Sequence, residues 1–274
     1  MPEARNLGPL VYKEGLNINE YVSEKVCKVR ENFKKNIESI SRIENKNFQC
    51  ICLFSLIDSF AQENANYPTR GDSDAFVSFV IKYQNICEFI EKVEPVTLFY
   101  DIEECIGNDM TNQELHEKYP DIFPIEKEID ISKEKLYDET LVENIINTDL
   151  ADRLLEIAKR ERDPKFRDKM AKKHCFAYLL YKMRSKLVHE LSSVGMPNKW
   201  EEKTDPFYRY MGRIYPRDGD IVSDDVFELV IPVSFIKRLT VNCVNNYLDE
   251  CITNGRDPFE NDKLNRKYKI AWND

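Results

Sequence analysis

The sequence predicts a mainly α-helical protein with an added β-hairpin and an acidic insertion. Three observations lead to this fold class: only eight glycines occur in 274 residues, 32% of the residues are charged, and apolar residues recur every three or four positions over long stretches. That period is typical of amphipathic helices, whereas sandwiches and barrels alternate polar and apolar residues between frequent turns. With 42% hydrophobic residues, the chain can bury a sizeable core.

The first predicted element is an amphipathic helix over residues 18–44, with Asn19 as its candidate N-cap. Its apolar positions are three or four residues apart and form one stripe, namely Val22, Val26, Val29, Phe33, Ile37 and Ile40. We expect this stripe to seat the helix on the core. A second interpretation makes the stripe a docking face for a partner protein.

The first part of the helical core is predicted over residues 48–104. Residues 48–62 are nearly all apolar and indicate a buried helix, which Asp58 interrupts as a lone acid. Because a buried carboxylate is costly unless it is paired, Asp58 must face a polar site or contact a basic partner. After a turn, Asp74 is the candidate cap of a helix over residues 75–90.

An acidic insertion is predicted over residues 106–147. From Glu88 to Ala151 the chain has 18 acidic residues against five lysines, and Pro120 and Pro124 interrupt any long helix. Since charge of one sign at this density favours solvent, we expect a partly irregular, solvated elaboration of the surface. A second interpretation gives the insertion a regulatory role.

A basic segment, residues 159–186, follows the insertion. It holds eleven Lys or Arg against three acids, a local charge of +8 in a protein whose net charge is −9. The segment leads into a predicted helix over residues 172–191. A solvated helix face and a binding surface for an anionic partner both explain this charge.

Two short strands and a last helix complete the second part of the core, residues 150–258. The predicted strands are Tyr208 to Tyr215 and Val226 to Ile231, joined by a loop that includes Pro216, Asp218 and Gly219. The last helix is expected to stop near Asn254 and Gly255, since Asn-Gly is a helix stop signal.

The chain has no apolar run of the roughly 20 residues that a membrane span needs, and its start lacks the apolar core of a signal peptide. We therefore expect a cytoplasmic protein without membrane contact. Eight irregularly spaced cysteines, with no CxxC pair, are expected to be reduced thiols rather than metal ligands.

The three histidines are the candidate proton-transfer groups, because the common nucleotide-binding, metalloprotease and serine-hydrolase motifs do not occur in this sequence. His189 lies near the end of the helix predicted over residues 172–191, five positions after Arg184. RNA cleavage without a metal needs a proton acceptor, a proton donor and a cation beside the phosphate. Imidazole suits either proton transfer near neutral pH, and guanidinium binds phosphate oxygens as a rigid fork. Arg184 and His189 are therefore the candidate catalytic residues.

Helical geometry limits how these two side chains meet. Positions five apart diverge by about 140° on an ideal helix, so both face one cleft only if Arg184 bends back or the helix ends near His189. Ser185 lies directly under His189 at i, i+4. Since one chain supplies one such histidine for two proton transfers, we expect a homodimer with a shared site.

The string RSKLVHE, residues 184–190, resembles the Arg-x4-6-His motif of HEPN domains. The order of segments is similar too: helices containing FSLIDSFAQ and AFVSFVIKY, the motif helix, then a hairpin leading to ELVIPVSFIKRL. HEPN domains are small helical bundles, and many are metal-independent ribonucleases of toxin, CRISPR-associated and phage-defence systems that act as dimers. The resemblance covers roughly residues 48–104 and 150–258 and implies a single HEPN-like domain within residues 1–274.

By this resemblance Arg184 would contact the scissile phosphate and His189 would serve as general acid or base. Supporting roles are expected for Ser185, for Glu190 as an acid or a partner of a lysine, and for Asp58, which would orient Arg184 or His189. RNA is expected to lie against four lysines, namely Lys172, Lys173, Lys182 and Lys186. Neither a metal nor a cofactor is expected at the site.

The motif has a second match, Arg167 and His174, at the polar start of the same predicted helix, and the pattern alone leaves it as an alternative. The family's toxins that are neutralised by tyrosine modification carry the tyrosine two residues after the histidine. This chain has Leu191 there, so the resemblance does not extend to that control.

Three functions remain as hypotheses at this point. The first is a metal-independent endoribonuclease with a toxin or phage-defence role. The second is a non-catalytic HEPN module that binds RNA, a nucleotide or a partner protein. The third is a helical interaction protein that binds a regulatory partner through the stripe of its first helix.

Overall fold

The computed structural model describes residues 18–64, 72–107, 114, 117–122, 124–125, 127–128, 140–146, 149–161, 164–190, 203–217 and 220–259. Within these residues the chain is mainly helical with one small antiparallel sheet, which confirms the predicted mainly α fold class. The helices are α1 (Ile18–Ser41), α2 (Lys46–Glu63), α3 (Asp72–Tyr83), α4 (Pro95–Gly107), α5 (Val142–Ile146), α6 (Leu150–Glu161), α7 (Pro164–His174), α8 (Phe176–Glu190) and α9 (Val233–Thr253). The strands are β1 (Thr140–Leu141), β2 (Phe207–Arg217) and β3 (Asp220–Val230).

The apolar stripe of α1 packs inside the molecule. Its residues Val22, Val26, Phe33, Ile37 and Ile40 belong to the main hydrophobic core, where α1 contacts α2 and α9. The prediction that this stripe seats the helix is confirmed, and its use as a docking face is wrong because its own chain covers it. Asn19 is not the N-cap, since α1 already includes Ile18.

Aromatic side chains join α2, α3 and α9 at the centre of the core. The ring centroids of Phe60 and Tyr247 are 5.9 Å apart, and those of Phe79 and Tyr247 are 5.6 Å apart. The last helix ends as predicted, because Asn254 is its C-cap and Gly255 has a φ of +59°. Glycine adopts this left-handed conformation without the steric cost that a Cβ adds.

The acidic insertion contributes to the core as well as to the surface. Among its described residues, six apolar side chains are buried in the main cluster, namely Tyr119, Ile122, Ile125, Val142, Ile145 and Ile146. The prediction of a solvated elaboration is wrong for these residues. The described acidic side chains of the segment remain in water. The apolar residues between them are nevertheless buried, and their burial holds short segments of the insertion against the core.

The predicted hairpin is present and is longer than predicted. Strands β2 and β3 pair antiparallel from Phe207–Val230 to Arg217–Asp220, and Pro216 lies within β2 rather than in the loop. β1, which comes from the acidic insertion, pairs with the first residues of β2 and adds a third strand.

Two predicted helices are shorter than expected. The helix predicted over 75–90 ends at Tyr83, and the helix predicted over 172–191 divides into α7 and α8 at Cys175. The segment after α3 crosses this division: the amide of Glu94 donates to the carbonyl of His174 at 2.8 Å, and the amide of Phe176 donates to the carbonyl of Lys92 at 3.0 Å. The backbone groups at this division are therefore paired with residues 90–94.

Glu94 joins this junction to the base of the hairpin. Its fully buried carboxylate accepts hydrogen bonds from the amides of Val96 at 2.7 Å and Thr97 at 2.8 Å, which caps α4. The same carboxylate accepts a hydrogen bond from the hydroxyl of Tyr208 on β2. Burial and the Glu94 charge raise the pKa of Tyr208 well above its ordinary value, so this hydroxyl remains a donor.

Among the described residues, no helix has the length and apolar character needed to cross a membrane.

Candidate functional site

The site is organised around an ion pair between α8 and α2. Nε of Arg184 donates a hydrogen bond to Oδ2 of Asp58 at 2.7 Å, and the two side chains are 18% and 14% exposed. Asp58, the one acid in the apolar run of residues 48–62, therefore has the basic partner that was one of its two predicted explanations. The bond fixes the plane of the guanidinium at the margin of the core.

Tyr181 supports Arg184 from the same helix. The guanidinium carbon lies 5.7 Å from the centroid of the Tyr181 ring, a cation–π distance, and the ring of Tyr181 lies 5.7 Å from that of the buried Phe76 on α3. Arg184 is thus held by a carboxylate and by a ring that is itself packed on the core. An arginine restrained in this way loses little rotamer entropy when it binds an anion.

His189 lies in the last turn of α8 and is exposed. It shares one helix face with Ser185, which is half-buried, while Arg184 is directed to α2 by its bond to Asp58. The structure therefore does not bring His189 onto the Arg184–Asp58 pair within one chain. The side chain of Glu190 lies outside the described residues.

The four predicted RNA-binding lysines fall into two classes. Lys172 pairs with Asp74 at 2.8 Å, and Lys173 pairs with Asp101. Lys186, by contrast, is exposed, and Lys182 is half-buried one turn before it. Burial lowers the pKa of Lys182, and the charges of Lys173 and Lys186 lower it further, so positive charge accumulates here at an electrostatic cost.

The alternative match to the motif, Arg167 and His174, has a different environment. His174 is 2% exposed, with Nε2 2.8 Å from Oδ2 of Asp101 and Nδ1 3.0 Å from Oγ1 of Thr97. Burial lowers the pKa of His174 to about 4 and outweighs the opposing charge of Asp101. Arg167 lies 3.7 Å from Glu156 on α6. A neutral, buried imidazole that joins α7 to α4 does not fit proton transfer on a bound polymer, so the geometry favours Arg184 and His189.

No group of three or more His, Cys, Asp or Glu side chains that would suit a metal ion occurs among those described. Burial raises the pKa of Cys50 to about 12 and also raises the pKa of Cys52. Both thiols are therefore poor sources of the thiolate that a metal would need.

Two residues of this surface were missed at the sequence level, Tyr178 and Tyr181. They are three residues apart in the string YLLYKMRSK and were given no role from the sequence, although both are half-buried. The signal that would have identified them is their alternation with Lys182 and Arg184 along the same string.

Comparisons of the chain with protein-family models, with curated proteins and with solved structures find no match. The geometry of Arg184, Asp58 and His189, together with the string RSKLVHE, is therefore what bears on function.

Proposed function

We propose that this protein is a metal-independent endoribonuclease of the HEPN type, with Arg184 and His189 as its catalytic residues. The observation that carries the proposal is the ion pair between Arg184 and Asp58. An arginine restrained by a carboxylate and an aromatic ring, next to exposed positive charge and one turn before an exposed histidine, has the composition of a phosphate-cleaving site.

In the proposed reaction the 2′-hydroxyl of a ribose attacks the adjoining phosphorus. A base removes the hydroxyl proton, the bond from phosphorus to the 5′ oxygen breaks, and an acid gives that oxygen a proton. The products are a 2′,3′-cyclic phosphate and a 5′-hydroxyl. His189 performs one of the two proton transfers, and the guanidinium of Arg184 stabilises the charge on the phosphate oxygens.

The second proton transfer is assigned to a second copy of the chain. Because Arg184 and His189 diverge by about 140° around α8, one chain presents them to different neighbours. A symmetric homodimer that apposes two α8 helices brings two histidines to one shared site. The toxin or phage-defence role that the HEPN resemblance implies belongs to this same proposal, as does a regulatory protein partner.

The competing function is a non-catalytic module that binds RNA through the same surface. The observation that favours it is the separation of the exposed His189 from the Arg184–Asp58 pair within one chain. Binding without product, at any protein concentration, is the outcome that this function predicts.

The test is cleavage of end-labelled RNA by the purified protein in EDTA. We expect the wild type to leave 2′,3′-cyclic phosphate or 3′-phosphate ends, and the variants His189→Ala and Arg184→Gln to leave the RNA intact. Arg42→Ala, which removes an exposed arginine from the turn after α1, is the matched control and should cleave normally. Equal cleavage by His189→Ala and the wild type would contradict the proposal, and binding without cleavage would favour the module.

A further inference from the structure

A row of aromatic rings runs from the core to the surface beside the candidate site. Phe76 is fully buried, and its ring centroid lies 5.7 Å from that of Tyr181. Tyr181 in turn lies 6.1 Å from Tyr178, with the two rings tilted by 41°. Both tyrosines are half-buried, so the outer end of the row is a ring that is fixed by packing and still reaches solvent.

A basic side chain lies near each of the two half-buried rings of this row. Nζ of Lys182 lies 5.7 Å from the centroid of the Tyr178 ring, and the guanidinium of Arg184 lies 5.7 Å from that of Tyr181. Lys186 follows Lys182 by one turn and is exposed. The mutual repulsion of these ammonium groups, which helps to lower the pKa of Lys182, is relieved when an anion binds between them.

The outer end of the row lies on the same helix face as His189. Tyr178, Lys182, Ser185 and His189 are separated by four, three and four positions along α8, which places them on a single line down the helix. Tyr178 is thus about three turns of helix from His189, or roughly 16 Å at 1.5 Å per residue. This distance is two to three nucleotides of an extended strand at about 6 Å each.

We propose that Tyr178 stacks on an unpaired base of the substrate, two to three nucleotides from the cleaved bond, while Lys182 and Lys186 contact the intervening phosphates. The inference rests on the proposed function, since it assumes that RNA is what this face binds. Aromatic rings that alternate with basic groups bind single-stranded nucleic acid, because only an unpaired strand offers base faces and phosphates together. A duplex keeps its bases stacked inside, so it contacts the lysines alone.

Packing explains why Tyr178 suits this role. Its ring is already ordered by Tyr181, which is itself packed on Phe76, so stacking a base adds a further ring to an existing row at little cost in side-chain entropy. The inner members of the row have an ordinary core role. The outermost ring is the one that lacks a covering ring on its solvent side in the described part of the chain.

The test measures binding of fluorescently labelled strands to the full chain carrying His189→Ala, which prevents cleavage. Three probes of one length are compared in EDTA: a single-stranded RNA, the same strand with abasic sites at every other position, and the corresponding duplex. We expect the single strand to bind about 10-fold more tightly than the abasic strand, which has the same phosphates, because one aromatic stack contributes roughly 5- to 100-fold in affinity.

Two variants assign that preference to one ring. Tyr178→Leu keeps an apolar side chain but removes the ring, and it should bind the intact strand about 10-fold more weakly while binding the abasic strand and the duplex as before. Tyr178→Phe keeps the ring and should bind like the parent protein. Equal loss on all three probes, or no loss on any, would overturn the inference. If Tyr178→Leu fails to fold, equal binding of intact and abasic strands by the parent protein overturns it as well.

The outcomes separate this inference from the proposed function. Cleavage by the wild type with no effect of Tyr178→Leu on binding would remove the stacking site and leave the ribonuclease. A base-dependent effect of Tyr178→Leu, without cleavage by the wild type, would keep the stacking site on a non-catalytic module. Absence of RNA binding by every form would remove both.

Discussion

His174 and His189 both follow an arginine at the spacing of the same motif, yet they lie in opposite surroundings. His174 ends α7 with both ring nitrogens hydrogen-bonded, to Asp101 and Thr97, and it is buried. His189 ends α8 on the exposed side of the helix. A short motif specifies only the residue types. Whether its histidine has a structural or a catalytic role depends on how deeply the imidazole is buried. The comparison predicts that substitution of one histidine affects stability and that substitution of the other affects activity.

The largest expected effect is loss of activity in His189→Ala. Because a positioned acid or base contributes about 10²- to 10⁴-fold to rate, cleavage of RNA should fall by that factor. The free energy of unfolding should change by less than about 0.5 kcal/mol, since the side chain is exposed. Cleavage assays in EDTA and urea unfolding check the two halves of this prediction. A variant that unfolds readily and keeps its activity would reverse the assignment of the two histidines.

The next effect is the pH dependence that His174 gives to stability. Its native pKa of about 4 lies below the ordinary value of 6.5, so the unfolded chain binds a proton that the folded chain excludes. The stabilisation is complete above pH 6.5 and decreases as the pH falls towards 4, by up to about 3 kcal/mol. Asp101, whose burial alone would raise its pKa, has a lowered pKa because of Lys173 and His174, and its stabilisation is lost with the same sign but only as the pH falls to about 4 and below.

Urea unfolding of the wild type and of His174→Gln between pH 7 and pH 4 tests this dependence. Glutamine carries no titrating group, so the variant should be less stable at pH 7 but should lose less stability on acidification. His189→Gln is the matched control and should follow the wild type. Parallel curves for all three proteins would show that the pKa of His174 is the same in the folded and unfolded states, which would contradict this prediction.

A smaller effect is the energetic coupling between Asp58 and Arg184. A double-mutant cycle with Asp58→Asn and Arg184→Gln should give a coupling of about 1–2 kcal/mol, because the pair is largely shielded from water. The ion pair between Arg30 and Asp249 has the same 2.7 Å separation but is exposed, so its coupling should be below about 0.5 kcal/mol. Equal coupling in the two pairs would mean that Asp58 does not hold Arg184 in place.

The smallest effect is on the salt dependence of RNA binding. Lys186→Gln and Lys182→Gln should each reduce the slope of log affinity against log salt by about 1, as expected for a lost phosphate contact. Lys172→Gln should change the slope less, because Lys172 is paired with Asp74. Titrations of one labelled RNA at several salt concentrations make the comparison. A change of slope with Lys172→Gln alone would move the binding surface to α7.

Elements defined by local pattern were predictable from the sequence. The stripe of α1, the apolar helix α2, the hairpin and the end of α9 at Gly255 each depend on residues close together in the chain. The need of Asp58 for a polar or basic neighbour was also predictable, since it follows from the cost of burying a charge. Which side chain would meet Asp58 depended on the packing of two distant helices.

Elements defined by distant contacts were not predictable. Nothing in the local pattern divides residues 172–191 at Cys175, because the amides and carbonyls that pair there belong to residues 90–94. The burial of Ile125 and Ile145 within an acidic segment likewise depends on the core that they meet. At the candidate site, the surface role proposed for Tyr178 was not predicted, because an aromatic residue at helical spacing more often belongs to a core.

The division between α7 and α8 also bears on how the chain folds. Glu94 and His174 are 80 positions apart, so their hydrogen bond closes a long loop, which is entropically costly and slow compared with helix growth. Local preference before that closure favours one continuous helix through Cys175. The direction of the face that carries Lys182 and His189 therefore depends on a contact between residues that are distant in sequence. We expect loop closure to limit the folding of this surface, so that a nascent chain acquires it only after α8 meets residues made some 80 positions earlier.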